Sequence, residues 1–156
     1  MTELRRPQSD APLYDSLSHH MRYAEDIGAA AVPMGMLLAW CVNMQLVSPA
    51  LVQEHERLTL RVRMQDAKGS ELLIAAGGDL ARDLFNTQGQ TFLDDFYDQY
   101  MDVYQRVLGQ DGYSVEESWL NYQQLAQELT RIYYSRAKSA KAAKGVFSRL
   151  RHWFRS

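Results

Sequence analysis

The residues of this chain that could do chemistry are four histidines, one cysteine and nineteen carboxylates. His19 and His20 are adjacent, so on a helix their side chains diverge by about 100° and do not easily share a metal ion. His55 has no second histidine four residues away, which a zinc-protease pair needs. His152 stands alone near the C-terminus. Histidine spacing therefore predicts no metal site.

The sequence also lacks the signatures of a nucleophilic or phosphate-binding enzyme. Cys41 lies between Trp40 and Val42 in an apolar run, which predicts a buried, inert thiol. As the only cysteine it forms no internal disulfide, which indicates a reducing compartment. Gly77-Gly78 is too short to cradle a phosphate, and neither a dinucleotide fingerprint nor a G-x-S-x-G elbow is present. We expect no catalytic activity and no cofactor.

Carboxylates at helical spacing form the first candidate binding surface. Asp94, Asp98 and Asp102 are spaced i, i+4, i+8, so they line up on one helix face. The opposite half is apolar and aromatic, with two tyrosines predicted toward its edge. This acidic stripe is either a solvated face or an electronegative patch for a basic partner, and both alternatives stay open here. The candidate contact residues are Asp94, Asp95, Asp98, Asp102, Tyr97 and Tyr104.

A basic C-terminal tail is the second candidate surface. Residues 131–156 carry eight basic and no acidic residues, which leaves nine basic against nineteen acidic residues in 1–130. After Gly145, apolar and basic residues separate onto two faces, a pattern typical of helices that lie in an anionic membrane interface. The tail could instead bind nucleic-acid phosphates, dock on the acidic stripe or form a disordered end; no recognition motif favours nucleic acid. The candidate membrane or anion contacts are Lys144, Phe147, Arg149, Arg151, Trp153 and Phe154.

Helical periodicity predicts an all-α fold that positions these surfaces in a single compact domain of about six helices. We expect a polar N-terminal arm (1–12), a helical domain (13–136) and the basic amphipathic tail (137–156). The apolar run at 29–47 is interrupted too often to fill the ~20 residues of a membrane span. No stretch alternates like a strand. The predicted helices cover about 14–24, 33–46, 49–64, a short stretch around 72–74, 91–108, and a helix from 114 past 134, followed by a separate tail helix.

Local start signals place three of these helices. Pro33 suits the first turn of the 33–46 helix, and Ser48 with Pro49 repeats that signal for the next. Ser114 and Glu117 have the spacing of a capping box, which predicts the start of the last long helix.

A central segment resembles a known family. The sequence VPMGMLLAW at 32–40, followed by Leu46-Val-Ser48, resembles a family of small uncharacterised bacterial proteins whose pattern reads roughly His-Ile-Gly-Met-Phe-Leu-Ala-Trp, then Gly-Leu-Val-Ser. Pro33 stands where that family has its histidine. Similar residues elsewhere are Tyr14-Asp15 with His19-His20, and Gly89, Phe92, Tyr97, Tyr100 and Tyr104.

That family resembles proteins whose genes lie near those of polymorphic, contact-delivered toxins. This resemblance implies an immunity or toxin-associated role. We therefore expect a cytoplasmic immunity protein that binds a cognate toxin and occludes it through the acidic and aromatic surface. Its acidic body suits fast capture of a basic effector. The alternative is a membrane-surface adaptor, peripheral at the inner membrane, that acts through the tail.

Overall fold

The computed structural model describes residues 12–109 and 113–153, with side chains as far as residue 142. Within these ranges the fold has seven α-helices and one two-stranded sheet, which confirms the all-α class. The elements are β1 (Leu13–Ser16), α1 (Leu17–His20), α2 (Ile27–Asn43), α3 (Pro49–Glu54), α4 (Glu56–Arg63), α5 (Gly69–Ala75), β2 (Asp79–Ala81), α6 (Thr87–Leu108) and α7 (Trp119–Trp153), with a 3₁₀ turn (Arg82–Leu84) before α6.

Helix α2 is the centre of the core, and every residue from Ala30 to Val42 is buried. The thiol of Cys41 is fully buried and burial raises its pKa, as the apolar run predicts. The predicted start at Pro33 is wrong. The helix begins six residues earlier, at Ile27, because Asp26 caps it by accepting a hydrogen bond from the Ala29 amide at 2.7 Å, so Pro33 lies inside the helix.

Two glycines let α2 and α5 touch through their backbones. A Cβ at Gly35 would lie 2.3 Å from the Ser70 nitrogen, and one at Gly69 would lie 1.8 Å from the Gly35 oxygen. No side chain fits at either position without moving a helix. The glycine of the family-like segment therefore sets how closely α5 packs on the central helix.

The predicted helix over 14–24 is confirmed only for α1 (Leu17–His20), because residues 14–16 belong to a strand and 21–24 form a turn. β1 pairs antiparallel with β2, and the register is irregular between Leu13 and Asp15. Successive strand side chains normally point to opposite faces, but this irregularity lets both Tyr14 and Asp15 reach α6. Ser16 then caps the single turn of α1. The pairing is long-range, so local periodicity does not show it.

Two further helix boundaries differ from prediction. The predicted 49–64 helix is broken at His55, whose φ of −127° and ψ of 43° are not helical. The predicted 91–108 helix begins earlier, at Thr87, because the Asn86 side chain accepts a hydrogen bond from the Gly89 amide.

Helix α7 starts later and continues further than predicted. The capping box from Ser114 does not form; Ser118 accepts from the Asn121 amide instead, and the helix begins at Trp119. It then runs 35 residues, through Gly145 and the predicted domain boundary at residue 136. The predicted separate tail helix is therefore the end of α7. None of the described helices is both long enough and apolar enough to cross a membrane.

Candidate functional site

Asp94 of the predicted acidic stripe is engaged within the fold. Its carboxylate accepts two hydrogen bonds from Arg82, at 3.0 and 2.9 Å, and one from the Tyr14 hydroxyl. These contacts, those of Arg82 first, lower the pKa of Asp94. Asp94 thus ties α6 to the segments that carry β1 and the 3₁₀ turn.

Asp95 is also paired, with the long C-terminal helix. Arg136 donates to the Asp95 carboxylate and to the Gln99 side chain, and its guanidinium lies 5.4 Å from the centre of the Phe96 ring. This places Arg136 on the body-facing side of α7. Two of the four predicted contact carboxylates are therefore ion-paired within the chain.

Asp98 and Asp102 differ from Asp94 and Asp95, which are also exposed but ion-paired. Asp98 and Asp102 are exposed one turn apart on α6, and neither forms an ion pair with any residue that the structure describes. We call these two residues the α6 acidic pair. Their role in binding stays a prediction.

The predicted edge position is wrong for Tyr104, which is fully buried, and burial raises its pKa. Tyr97 is half-buried, as an edge position predicts, but it donates its hydroxyl hydrogen bond inward, to Asp15. A helical wheel of α6 alone does not include this contact with β1.

The basic tail is described only in part. Lys138 and Lys141 are exposed on α7. Among the predicted membrane contacts, Lys144, Phe147, Arg149, Arg151 and Trp153 lie on the described helix but their side chains lie outside the described residues, as does the whole of Phe154.

A buried polar network joins β1, α1, α6 and the connector before α7. The His20 ring is 2% exposed. Its Nε2 lies 2.6 Å from Oδ2 of Asp15, and its Nδ1 lies 2.6 Å from the Tyr113 hydroxyl. Tyr97 donates to the same Asp15 oxygen, and the Ser16 amide donates to the other at 2.8 Å. We call Asp15, His20, Tyr97 and Tyr113 the His20 network.

The protonation state of the network follows from its partners. Burial alone would raise the pKa of Asp15, but hydrogen bonds from His20 and Tyr97 outweigh it and the pKa is lowered. An ionised carboxylate only accepts, so Nε2 of His20 carries the hydrogen. Nδ1 shares the other hydrogen bond with the Tyr113 hydroxyl. Every polar atom of the imidazole is satisfied, which makes His20 a structural link between elements distant in sequence.

A second carboxylate, Glu117, binds the first turn of α5. It accepts hydrogen bonds from the Ser70 amide at 2.9 Å and from the Ser70 hydroxyl. Burial raises the pKa of Glu117 despite these bonds. Beside it, the Lys68 ammonium lies 4.7 Å from the centre of the Trp119 ring, and these side chains line a shallow depression. Glu117 thus fixes the connector against α5.

The His20 ring is buried and both of its nitrogens have partners in Asp15 and Tyr113. His19 sits with its ring 5.4 Å from that of His20, nearly perpendicular to it. Among the described residues no group of three or more potential ligands could hold a metal ion. What the geometry does is hold four segments rigidly together.

Sequence reasoning missed the His20 network, although two signals pointed to it. The family-like pattern includes Asp15, His20 and Tyr97. The structure brings these three residues into direct contact. No sequence pattern singled out Tyr113, because its contact with His20 depends on the path of the connector before α7. A family-like pattern here marks packing contacts between distant segments.

Comparison with known proteins gives one match. Residues 13–118, more than half of the chain, match the family described as Domain of unknown function (DUF7832). No curated protein and no solved structure matches the chain. The matched segment includes the His20 network, the Gly35 contact and Glu117, and it ends before α7. The chain therefore belongs to this family of uncharacterised domains.

Proposed function

We propose that this chain is a cytoplasmic immunity protein, which binds a basic bacterial toxin and neutralises it by occluding its active site. The observation that carries the proposal is the α6 acidic pair. Two exposed carboxylates lie one turn apart on a helix whose opposite face is locked into the core. A binding surface on a rigid element needs no reordering when the partner arrives.

The paired carboxylates support this reading by keeping the surface rigid. Asp94 and Asp95 anchor the same face of α6 through Arg82 and Arg136. The bacterial and toxin-linked parts of the proposal rest on the resemblance of the central VPMGMLLAW segment. The proposed binding surface is smaller than the full stripe of four aspartates, because two of them are already neutralised.

The test uses the toxin whose gene adjoins that of this chain. Cells that express the toxin should survive when they also express this protein. Replacing the α6 acidic pair (D98N/D102N) should lower the association rate roughly tenfold at low salt, because charge complementarity acts mainly on encounter. It should also flatten the dependence of that rate on ionic strength.

A matched control removes two exposed carboxylates elsewhere, on and after α4 (E56Q/D66N). This variant should capture the toxin like the wild type. Equal association rates for the two double variants would reject the α6 acidic pair, and absence of protection by the wild type would reject the immunity function itself.

The second candidate function, a membrane-surface adaptor, is favoured by α7. The helix continues for about 25 Å beyond Arg136 at 1.5 Å per residue, and Lys138 and Lys141 on this part are exposed. An exposed basic helix is attracted to anionic lipid. In this reading the domain is a platform, and the protein is peripheral at the inner membrane.

A further inference from the structure

The loop after α1 and the first residue of α2 expose three large apolar side chains. Met21 is 39% exposed, Tyr23 67% and Ile27 52%. Exposed apolar residues scattered singly are normal, whereas a contiguous exposed patch is a feature of binding sites. We call these three residues the Tyr23 patch.

Tyr23 is exposed and yet held in place. Its ring is parallel to that of Tyr113 within 17°, with 6.3 Å between centres, and it meets the edge of His19 at 6.2 Å. The Tyr23 amide donates to the His20 oxygen at 3.0 Å, which fixes the turn. Tyr113 in turn is bound to His20. The buried His20 network thus holds the exposed Tyr23 ring in place through Tyr113.

The charges around the patch favour a cationic occupant. Glu25 and Asp26 lie between Tyr23 and Ile27, are exposed, and form no ion pair with another described residue. Arg22 is the opposing charge in the loop, so its net charge is negative. An aromatic face attracts a guanidinium, which can stack on the ring while a carboxylate accepts its hydrogen bonds.

We propose that the Tyr23 patch is an anchor site for an arginine side chain of the basic partner, with Tyr23 stacking on the guanidinium and Glu25 accepting from it. Met21 and Ile27 flank the site and contact the aliphatic part of the arginine side chain. This inference rests on the proposed function, because it names a second contact surface for the same basic partner. A rigid tyrosine with a charged rim has the composition of an interface hot spot.

The test titrates the whole protein with two probes, a peptide of eight arginines and one of eight lysines. Methyl and ring resonances of Met21, Ile27 and Tyr23 should shift with the arginine peptide. Affinity should fall roughly two- to fivefold in Tyr23→Ala, the range for an exposed cation–π contact. Tyr134→Ala is the matched control, since Tyr134 is 59% exposed on α7, and it should leave affinity unchanged. The lysine peptide should bind more weakly than the arginine peptide.

The outcomes separate the two proposals. Shifts confined to Asp98 and Asp102, or equal effects of the two tyrosine variants, would overturn the Tyr23 anchor and leave the α6 acidic pair standing. Equal affinity for the two peptides would overturn the arginine-specific stacking. Absence of binding by either peptide at low salt would reject capture of a basic partner altogether, together with both surfaces.

Discussion

Asp15 is the residue on which the buried polar contacts converge. One of its oxygens accepts from His20 and Tyr97, and the other accepts from the Ser16 amide. His20 and Tyr97 belong to α1 and α6, so this single carboxylate holds the N-terminal strand against the core. Replacing Asp15 should therefore lower the stability of the whole fold.

Asp15→Asn should lower the free energy of unfolding by about 1–3 kcal/mol at pH 7, the range for hydrogen bonds to a charged group. The folded pKa of Asp15 lies below the unfolded value of about 3.9. The ionised group therefore stabilises the fold above that unfolded value, and its contribution is lost as the pH falls through the folded pKa. Urea unfolding from pH 7 down to pH 3 should show the difference between wild type and variant shrinking.

Asp66→Asn provides the comparison for that measurement. Asp66 pairs with Arg61 at the surface and its side chain is 71% exposed, so the change should cost less than about 0.5 kcal/mol. If Asp15→Asn were as mild as this control, the network would not be a structural link.

Single residues show where sequence reasoning about the site stops. The spacing of Asp94, Asp98 and Asp102 predicted a stripe, and helical geometry is enough to put them on one face of α6. It did not predict that Arg82, twelve residues before Asp94, would neutralise one end. It placed Tyr104 at an edge, whereas the side chain is fully buried. A helical wheel orders the side chains of one element and contains nothing of its neighbours.

At the scale of elements, the contact of α2 with α5 depends on glycine. Gly35→Ala places a methyl group 2.3 Å from the Ser70 nitrogen, so the two helices must separate. We expect a loss of about 3 kcal/mol in the free energy of unfolding, at the upper end of the usual range for overpacking. Thermal and urea unfolding of the purified variant measure it.

Gly28→Ala is the matched control in the same helix. A Cβ there meets only the Asp26 side chain, at 3.3 Å, and alanine favours the helix intrinsically. Its effect should stay within about 1 kcal/mol. Similar losses at both positions would show that the close approach of Gly35 to α5 does not decide the result.

Element boundaries were predictable where a local cap decides them. Ser48 with Pro49 starts α3 as expected, since the cap and the helix are neighbours in sequence. Ser114 and Glu117 have the spacing of a capping box, but the box does not form. Glu117 accepts a hydrogen bond from Ser70 in a tertiary contact instead. The β1–β2 pair was missed for the same reason, as its strands are far apart in the chain. Periodicity predicts helices well and says little about which contacts end them.

At the scale of the molecule, α6 and α7 run antiparallel and are joined by opposite charges. Arg106 of α6 pairs with Glu128 at 3.0 Å, and Arg136 of α7 pairs with Asp95. As α7 proceeds it therefore passes from the end of α6 toward its start. The α6 acidic pair lies on the side that α7 leaves behind, so the end of this helix leads away from it.

This geometry separates the body from the tail, and removing residues 143–156 tests the separation. Among the described side chains of α7, Arg136 makes the last hydrogen bonds to the body, so the melting temperature should change by less than about 2 °C. The deletion takes away four basic residues, each worth ~1 kcal/mol near an anionic surface. Co-sedimentation with phosphatidylserine-containing vesicles should fall at least about a hundredfold, whereas phosphatidylcholine vesicles should bind neither form. If the full-length protein does not bind anionic vesicles, the adaptor function is rejected and the acidic body remains as the proposed binding surface. A large drop in melting temperature would show that the end of α7 belongs to the fold.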